Sequence, residues 1–431
     1  MYKIIAKILT NRLKKVIEVN IGRSQSAFIE WRSIIDNILF SHELFKVYNN
    51  KGIYHICVLK VDIRKWWCLT KPFQAKRGIR QGNSMSPYLF VIAMEYLQRE
   101  MNQLPMIKEF KDDKSSLIIL QKTFQKFSAA SGLQANADKS SIYIGGVHKD
   151  LKDTLISLLG YTKGSLPFKY LGVPLSTKKL NIQQCLPLVE KITERTQIFL
   201  LPKRITKLIE TICSTYLWTG TSATFRKALI ACEKVCQPKA VGGLNIINMG
   251  LWNKAAFLKQ LWALAKKRDS LWIKWAHYYY IKQRDLDTMT TPKAVAWVVR
   301  QIIDSKQVLM QMNTMQGNLN AKLTMLETKG RFQIKRAYTQ LLPQLPKVTW
   351  KSIHMHPQIH PRFKFHLWLA IHQRLSTVER LQKFGIQVPF NCVFCALNIK
   401  IFSHLFFECS STSMLWIRML KWLGHHRRTD G

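Results

Sequence analysis

The chain has 431 residues, enough for more than one domain and a sizeable core. Its hydrophobic content of 47% and its 13 tryptophans exclude a disordered chain. Lysine and arginine number 66 against 25 acids, a formal charge of +41, which opposes compaction unless a polyanion is the partner and so points to nucleic acid.

Residues 1–55 read as helix, loop, helix. YKIIAKILTNRLKK is a basic amphipathic helix with Ile5, Leu9 and Leu13 at i, i+4 spacing; it lacks a leader-cleavage pattern and is expected to pack on its own domain. Nowhere does an apolar run reach the ~18–20 residues of a spanning helix, so no membrane is expected as a partner. Ile34, Ile35, Ile38, Leu39 and Leu44 mark the second helix. His55–Ile63, HICVLKVDI, reads as a buried strand with Asp62 at its carboxyl end, a costly place for a carboxylate unless something pairs with it, such as Arg64 or Lys65. Lys76–Leu97, KRGIRQGNSMSPYLFVIAMEYL, joins a cationic, glycine-hinged loop to a helix. Ser86 suits its N-cap and Pro87 its first position, Leu89 to Met94 should be buried, and Glu95, Gln98 and Arg99 should surface. Such a loop suits a phosphate-bearing ligand.

Asp112 and Asp113 sit between Lys111 and Lys114-Ser115-Ser116, ahead of an amphipathic run over Leu117–Phe127. They read as helix-start residues at the positive end of the dipole, not as a pair on a hairpin. Gly172 and Pro174 supply a turn within LPFKYLGVPLSTKKL. Residues 181–340 are helical and basic, with Trp252, Trp262, Trp272, Trp275 and Tyr278 to Tyr280 read as core, and Gly242-Gly243 breaking two helices. Residues 341–350 read as a proline-bearing linker, and His354, His356, His360, His366 and His372 fit no metal template.

Nine cysteines include six scattered ones, which fit a reduced, intracellular protein of nucleus or cytoplasm better than a disulfide framework. The other three belong to Cys392-x2-Cys395-x8-His404-x4-Cys409, three thiols and an imidazole. That set closes a tetrahedral zinc ion with no open position, a structural site. Cys392 and Cys395 would come from one turn, His404 from the start of the next helix and Cys409 from its first turns. Trp368, Leu405, Phe406 and Trp416 would cover the ion, in a unit folding independently over roughly 340–424.

RGIRQGNSMSPYLF resembles the RG-x-RQGDP-x-SP-x-LF signature of reverse transcriptases from LINE-type non-LTR retrotransposons, with Asn83 where Asp is usual and Ser84 where Pro is usual. The resemblance implies an α+β right-hand polymerase of fingers, palm and thumb, performing RNA-directed DNA synthesis with magnesium, and it places Arg80, Gln81 and Gly82 near template and nucleotide. YKIIAKILTNRLK and QSAFIEWRSIIDNILFSHEL look like the fingers, which makes Lys14 and Arg32 either cations for template or triphosphate or, residue by residue, solvated surface charges. LKVDIRK is similar to the first catalytic motif and makes Asp62 the ancestral metal ligand. KSSIYIG resembles the strand whose lysine, here Lys139, approaches the triphosphate, and residues 166–180 resemble the primer-gripping hairpin. HLFFEC and PRFKFHLWLAIHQRL resemble the zinc-binding domain ending plant LINE-type relics. The implied division is polymerase-like 1–180, basic thumb or connector 181–340, and zinc-binding domain 341–431.

The chain departs from the pattern twice. Trp66, Trp67 and Cys68 replace the Ala, aromatic and Asp after the first motif, and Asp62 stands sixteen residues from Gly78 where the family has several dozen. After Met101 the catalytic Ala-Asp-Asp is missing, and Phe110-Lys111-Asp112-Asp113 only mimics it. The resulting expectation is a catalytically inactive, truncated palm that binds RNA and DNA and one zinc ion, with magnesium unused. The alternatives are an active polymerase using Asp62 with Asp112 and Asp113, and a relic that does not fold.

Overall fold

A computed structural model describes residues 2–30, 32–46, 48, 56–65, 84–106, 114–146, 149–171, 173–176, 200–219, 228–292, 295–312, 317–354, 356–375, 377–383 and 385–424. The fold mixes helices with short strands. Two compact units emerge: Met1–Ile209 with Met249–Leu342, and Glu210–Asn248 with Pro343–Gly431.

In the first unit, α1 (Tyr2–Asn20) buries Ala6, Thr10 and Ile17, while Ile5 and Leu9 remain exposed. Of the expected stripe only Leu13 packs inward, because it joins Ile17 and Ile21 against Ile29, Tyr88 and Val91. Arg32 donates to the carbonyls of Ile21 (2.8 Å), Gly22 (2.5 Å) and Gln25 (2.9 Å). Its guanidinium is therefore committed to closing the loop after α1, correcting its reading as a template cation. Helix α2 (Ile34–Phe45) starts on Ser33, whose hydroxyl accepts from the Ile35 N–H.

Helix α3 (Ser86–Gln103) starts one residue earlier than expected: Met85 is its N-cap, and Ser86 and Pro87 open the helix. Its burial also differs. Leu89 and Ile92 are exposed, whereas Glu95 is buried and accepts from the Gly22 N–H (2.8 Å), Gln25 (3.4 Å) and Arg99 (3.0 Å). A buried carboxylate is tolerable here because backbone and guanidinium donors replace its water.

The expected long strand is broken at Val61-Asp62 into β1 (Ile56–Lys60) and β2 (Ile63–Lys65). After α4 (Lys114–Ser131) come β3 (Leu133–Ala135), which pairs antiparallel with β2, and β4 (Ser141–Gly145). β4 pairs antiparallel with β1, from Ile56↔Gly145 to Lys60↔Ser141. Helix α5 (Lys149–Leu159) then crosses over to β5 (Thr162–Lys163), parallel to β4, and packs Leu155 and Leu159 on Ile142 and Ile144. In the hairpin of β6 (Phe168–Tyr170) and β7 (Val173–Leu175), Pro174 pairs with Lys169 inside a strand instead of serving the turn. Gly172 lies outside the described residues.

The large core of this unit joins α2, Tyr143 and β7 to α6 (Lys203–Thr219), α7 (Met249–Ala265), α8 (Leu271–Ala276) and the helices up to residue 341. Trp262, Trp272 and Tyr280 are core, as expected of the aromatic stripe, but Tyr278 and Tyr279 are exposed. Three polar side chains of α2 enter this core. Asp36 accepts from the Trp272 indole (2.8 Å); Glu43 accepts from the Tyr280 hydroxyl (2.5 Å) and the Ala296 N–H (3.0 Å), with Lys46 at 3.2 Å; His42 lies edge-on to Trp297.

In the second unit, Ile230, Val235, Trp368 and Leu369 form the core with Leu217, Trp218 and Trp350. The Trp368 indole donates to the Gly242 carbonyl (2.8 Å), so this residue belongs to that core and not to a cover over the Cys/His cluster. A Cβ on Gly243 would stand 2.0 Å from the Gln237 carbonyl oxygen, which leaves glycine as the fitting residue at this turn. No helix among the described residues is long and apolar enough to cross a membrane.

The polar groups of α2 yield a pH prediction. Burial raises the Asp36 carboxyl to about 6 despite its Trp272 hydrogen bond, raises Glu43, and lowers His42 to about 4. A raised acid contributes stability present below its ordinary pKa and lost as pH climbs through the folded value. A lowered imidazole contributes stability present above its ordinary pKa and lost as pH falls through the folded value. The two slopes oppose each other between about pH 4 and 6. Asp36→Asn keeps an acceptor for Trp272 and removes one slope. It should raise stability at pH 7 by ~1–3 kcal/mol and make the melting temperature climb more steeply with pH over that window. Identical pH profiles for variant and wild type would contradict the assignment.

Candidate metal centre and the strand that carries Asp62

Cys392 and Cys395 lie on a tight knuckle. The Asn391↔Ile399 bridge closes its base, the Cys392 N–H reaches the Asn398 carbonyl (2.7 Å) and the Ala396 N–H the Cys392 carbonyl (2.8 Å). The Phe394 N–H points at the Cys392 Sγ (3.4 Å). His404 opens a short helical turn, His404–Glu408, and Cys409 follows as the N-cap of helix Ser410–Trp422. The fourth ligand thus precedes a second helix, one element later than expected.

The four ligand atoms lie within 4.8 Å of one another. Cys392 Sγ and Cys409 Sγ are 3.9 Å apart, and Cys395 Sγ and His404 Nε2 are 3.3 Å apart. Zinc–sulfur bonds of about 2.3 Å give a tetrahedral S–S edge of about 3.8 Å, and the shorter Zn–N bond gives a slightly shorter S–N edge. The donor set fits zinc. Cys392, His404 and Cys409 are buried and Cys395 is half-buried; four protein ligands would fill a tetrahedral ion. The Leu397 and Asn398 N–H groups, and then His404, hold the Cys395 thiol down to about 6, suiting a ligand that binds as thiolate. Cys409 stands at the N-cap of the following helix. Leu405, Phe406 and Trp416 line an apolar groove with Phe394 beside the knuckle, and the Trp416 indole donates to the Phe406 carbonyl (2.8 Å).

In the first unit, Asp62 lies in the break between β1 and β2. Its N–H donates to the Ser140 hydroxyl (3.0 Å) and its carbonyl accepts from the Asn136 N–H (2.7 Å). These bonds bring Asp62 and Lys139 to the same end of the β1–β4 ladder, both exposed. Arg80, Gln81, Gly82, Asp112 and Asp113 lie outside the described residues. Among the described residues, the only group of three or more metal-ligating side chains is the Cys/His cluster, and Asp62 belongs to none. β4, in register beside β1, reads Ser-Ile-Tyr-Ile-Gly and bears no carboxylate. An apolar cavity of about 650 Å³ runs between β1, α3 and α4, walled by Leu59, Phe90, Met94, Leu120 and Phe124; none of the described residues lining it is acidic.

Residues 1–175 match the family described as reverse transcriptase (RNA-dependent DNA polymerase). Residues 332–416 match the family described as zinc-binding in reverse transcriptase. The chain carries a reverse transcriptase domain and, C-terminal to it, a reverse transcriptase zinc-binding domain. It is also 34% identical over 73 residues to an Arabidopsis thaliana protein named "Putative ribonuclease H protein", a match covering 17% of this chain and 12% of that one. The chain therefore spans a small part of that relative's length.

The burial of Glu95 and the clamp of Arg32 were missed because a charged residue in an amphipathic pattern reads as solvated. The signal for both was the glycine-bearing loop Ile21-Gly22, whose backbone groups needed partners. The full chain should hold one equivalent of zinc by elemental analysis. Cys395→Ser should weaken retention, and chelation should lower the unfolding midpoint of the wild type far more than that of the variant. Equal midpoints with and without chelator would reduce the four residues to ordinary core.

Proposed function

We propose that this reverse transcriptase homologue is a catalytically inactive, nucleic-acid-binding remnant of a LINE-type non-LTR retrotransposon, held at its C-terminal end by one structural zinc ion. The observation that carries the reading is β4 lying directly beside β1 without a carboxylate. Templated synthesis needs two divalent ions clamped between carboxylates of neighbouring palm strands, one activating the primer hydroxyl and both neutralising pyrophosphate. Asp62 alone cannot hold two reluctantly dehydrating magnesium ions. The fingers would be residues up to α3, the damaged palm the β1–β4–β5 sheet, and the thumb or connector the helices beyond residue 181. Arg80, Gln81, Gly82 and Lys139 keep the family's nucleotide- and template-facing positions in this reading, and Cys392, Cys395, His404 and Cys409 are the zinc ligands.

The charge of +41 and the exposed cations of α1 (Lys7, Arg12, Lys14, Lys15) and α6 (Lys203, Arg204) favour RNA and DNA as partners. Binding should be indifferent to sequence and steeply salt-dependent, falling ~10-fold or more between 50 and 200 mM salt. An affinity flat across that range would remove electrostatics as the driver. Primer extension with magnesium or manganese should not rise above the level of Asp62→Ala. Nucleotide incorporation that Asp62→Ala abolishes would instead favour the second reading, an active polymerase in which Asp112 and Asp113 complete the clamp.

A further inference from the structure

Two thiols outside the zinc cluster meet in the second unit. Cys232 opens the short helix Cys232–Val235 and Cys236 ends it, the Cys236 N–H donating to the Cys232 carbonyl (2.9 Å). One helical turn brings their sulfurs to 3.6 Å. Cys232 is half-buried, whereas Cys236 is 3% exposed. Between them Val235 enters the core that holds Trp368. We propose that Cys232 and Cys236 form a thiol–disulfide exchange site for low-molecular-weight disulfides of the glutathione class, with Cys232 attacking and Cys236 resolving.

The order of attack follows from access and from the hydrogen bond. A small disulfide reaches Cys232 and not the buried Cys236. The two thiols share a hydrogen bond, which with Cys232 as the accepting thiolate lowers the Cys232 pKa against the opposing pull of burial, Glu210 and Glu233, and raises that of Cys236. Cys57 and Cys213 differ: partial desolvation by the surrounding protein raises the Cys213 thiol and pushes Cys57 up to about 11. In the first step the Cys232 thiolate attacks one sulfur of RSSR, forming Cys232–S–SR and releasing one thiolate, which takes up a proton. In the second, Cys236 loses its proton to solvent and attacks the Cys232 sulfur, expelling the second RS⁻. Two cysteine thiols are oxidised and one external disulfide is reduced to two RSH. The sulfurs close from 3.6 Å to a bond of about 2.05 Å.

The test uses the full zinc-loaded chain, oxidised glutathione, and alkylation followed by tryptic mass spectrometry. Cleavage after Lys234 separates the two cysteines, so their disulfide appears as ALIACEK linked to VCQPK. That linked peptide should form while zinc is retained, and Cys232 should react roughly 10-fold faster than Cys57 or Cys213. Cys236→Ser should stop at a glutathione adduct on Cys232, and Cys232→Ser should leave Cys236 unmodified in a chain whose circular dichroism matches the wild type. No linked peptide before zinc is lost, or Cys57 or Cys213 modified ahead of Cys232, would overturn the proposal. The wild-type measurement decides even if the Cys236 variant fails to fold.

Discussion

The first unit depends on the acidic face of α2. Glu43 is 2% exposed, and its two oxygens receive the Tyr280 hydroxyl and the Ala296 N–H from segments more than two hundred residues further along the chain. Two turns earlier, Asp36 takes the Trp272 indole. Without Glu43, two buried donors would be left unsatisfied at about 1–3 kcal/mol each. With it, the helices after residue 249 have one seat on the N-terminal segment, where an apolar contact would allow several. The polar bonds give position, and the apolar cluster that includes Phe257, Leu261 and Ile302 gives burial.

Local pattern carried far in the sequence. The spans of α1, α2 and α4 follow from apolar periodicity, and the Cys-x2-Cys turn with its distant His and Cys follows from ligand spacing. What could not be read were partners at long range. Glu95 looked solvated because the sequence does not announce that the Gly22 N–H will need an acceptor, and Trp368 looked like a zinc cover because its true neighbours, Ile230 and Gly242, lie far upstream. The joining of residues 210–248 with those after 343 has the same origin: no local signal connects them. The strand around Asp62 was legible as apolar sequence, but its break was not, since it is made by Ser140 and Asn136 on another segment.

The two domains matched by family place different demands on the chain. A polymerase palm needs carboxylates converging from separate strands, so loss of one strand's acids removes the chemistry while the sheet can still close by pairing what remains. β1 and β4 pair over five residues on each side. A zinc knuckle needs only ligands near one another in sequence, so it tolerates damage elsewhere. On the proposed reading, the second architecture would persist where the first had lost its chemistry.

That locality has a consequence for the denatured ensemble. Cys392 and Cys409 are only 17 residues apart, so their loop costs little entropy to close even in an otherwise unfolded chain. Metal held by the unfolded peptide would offset part of the stabilisation that binding to the folded form provides. It would also leave a compact loop that exposes less surface on unfolding, so the denaturant m-value of this unit should be smaller with the ion than its size alone implies.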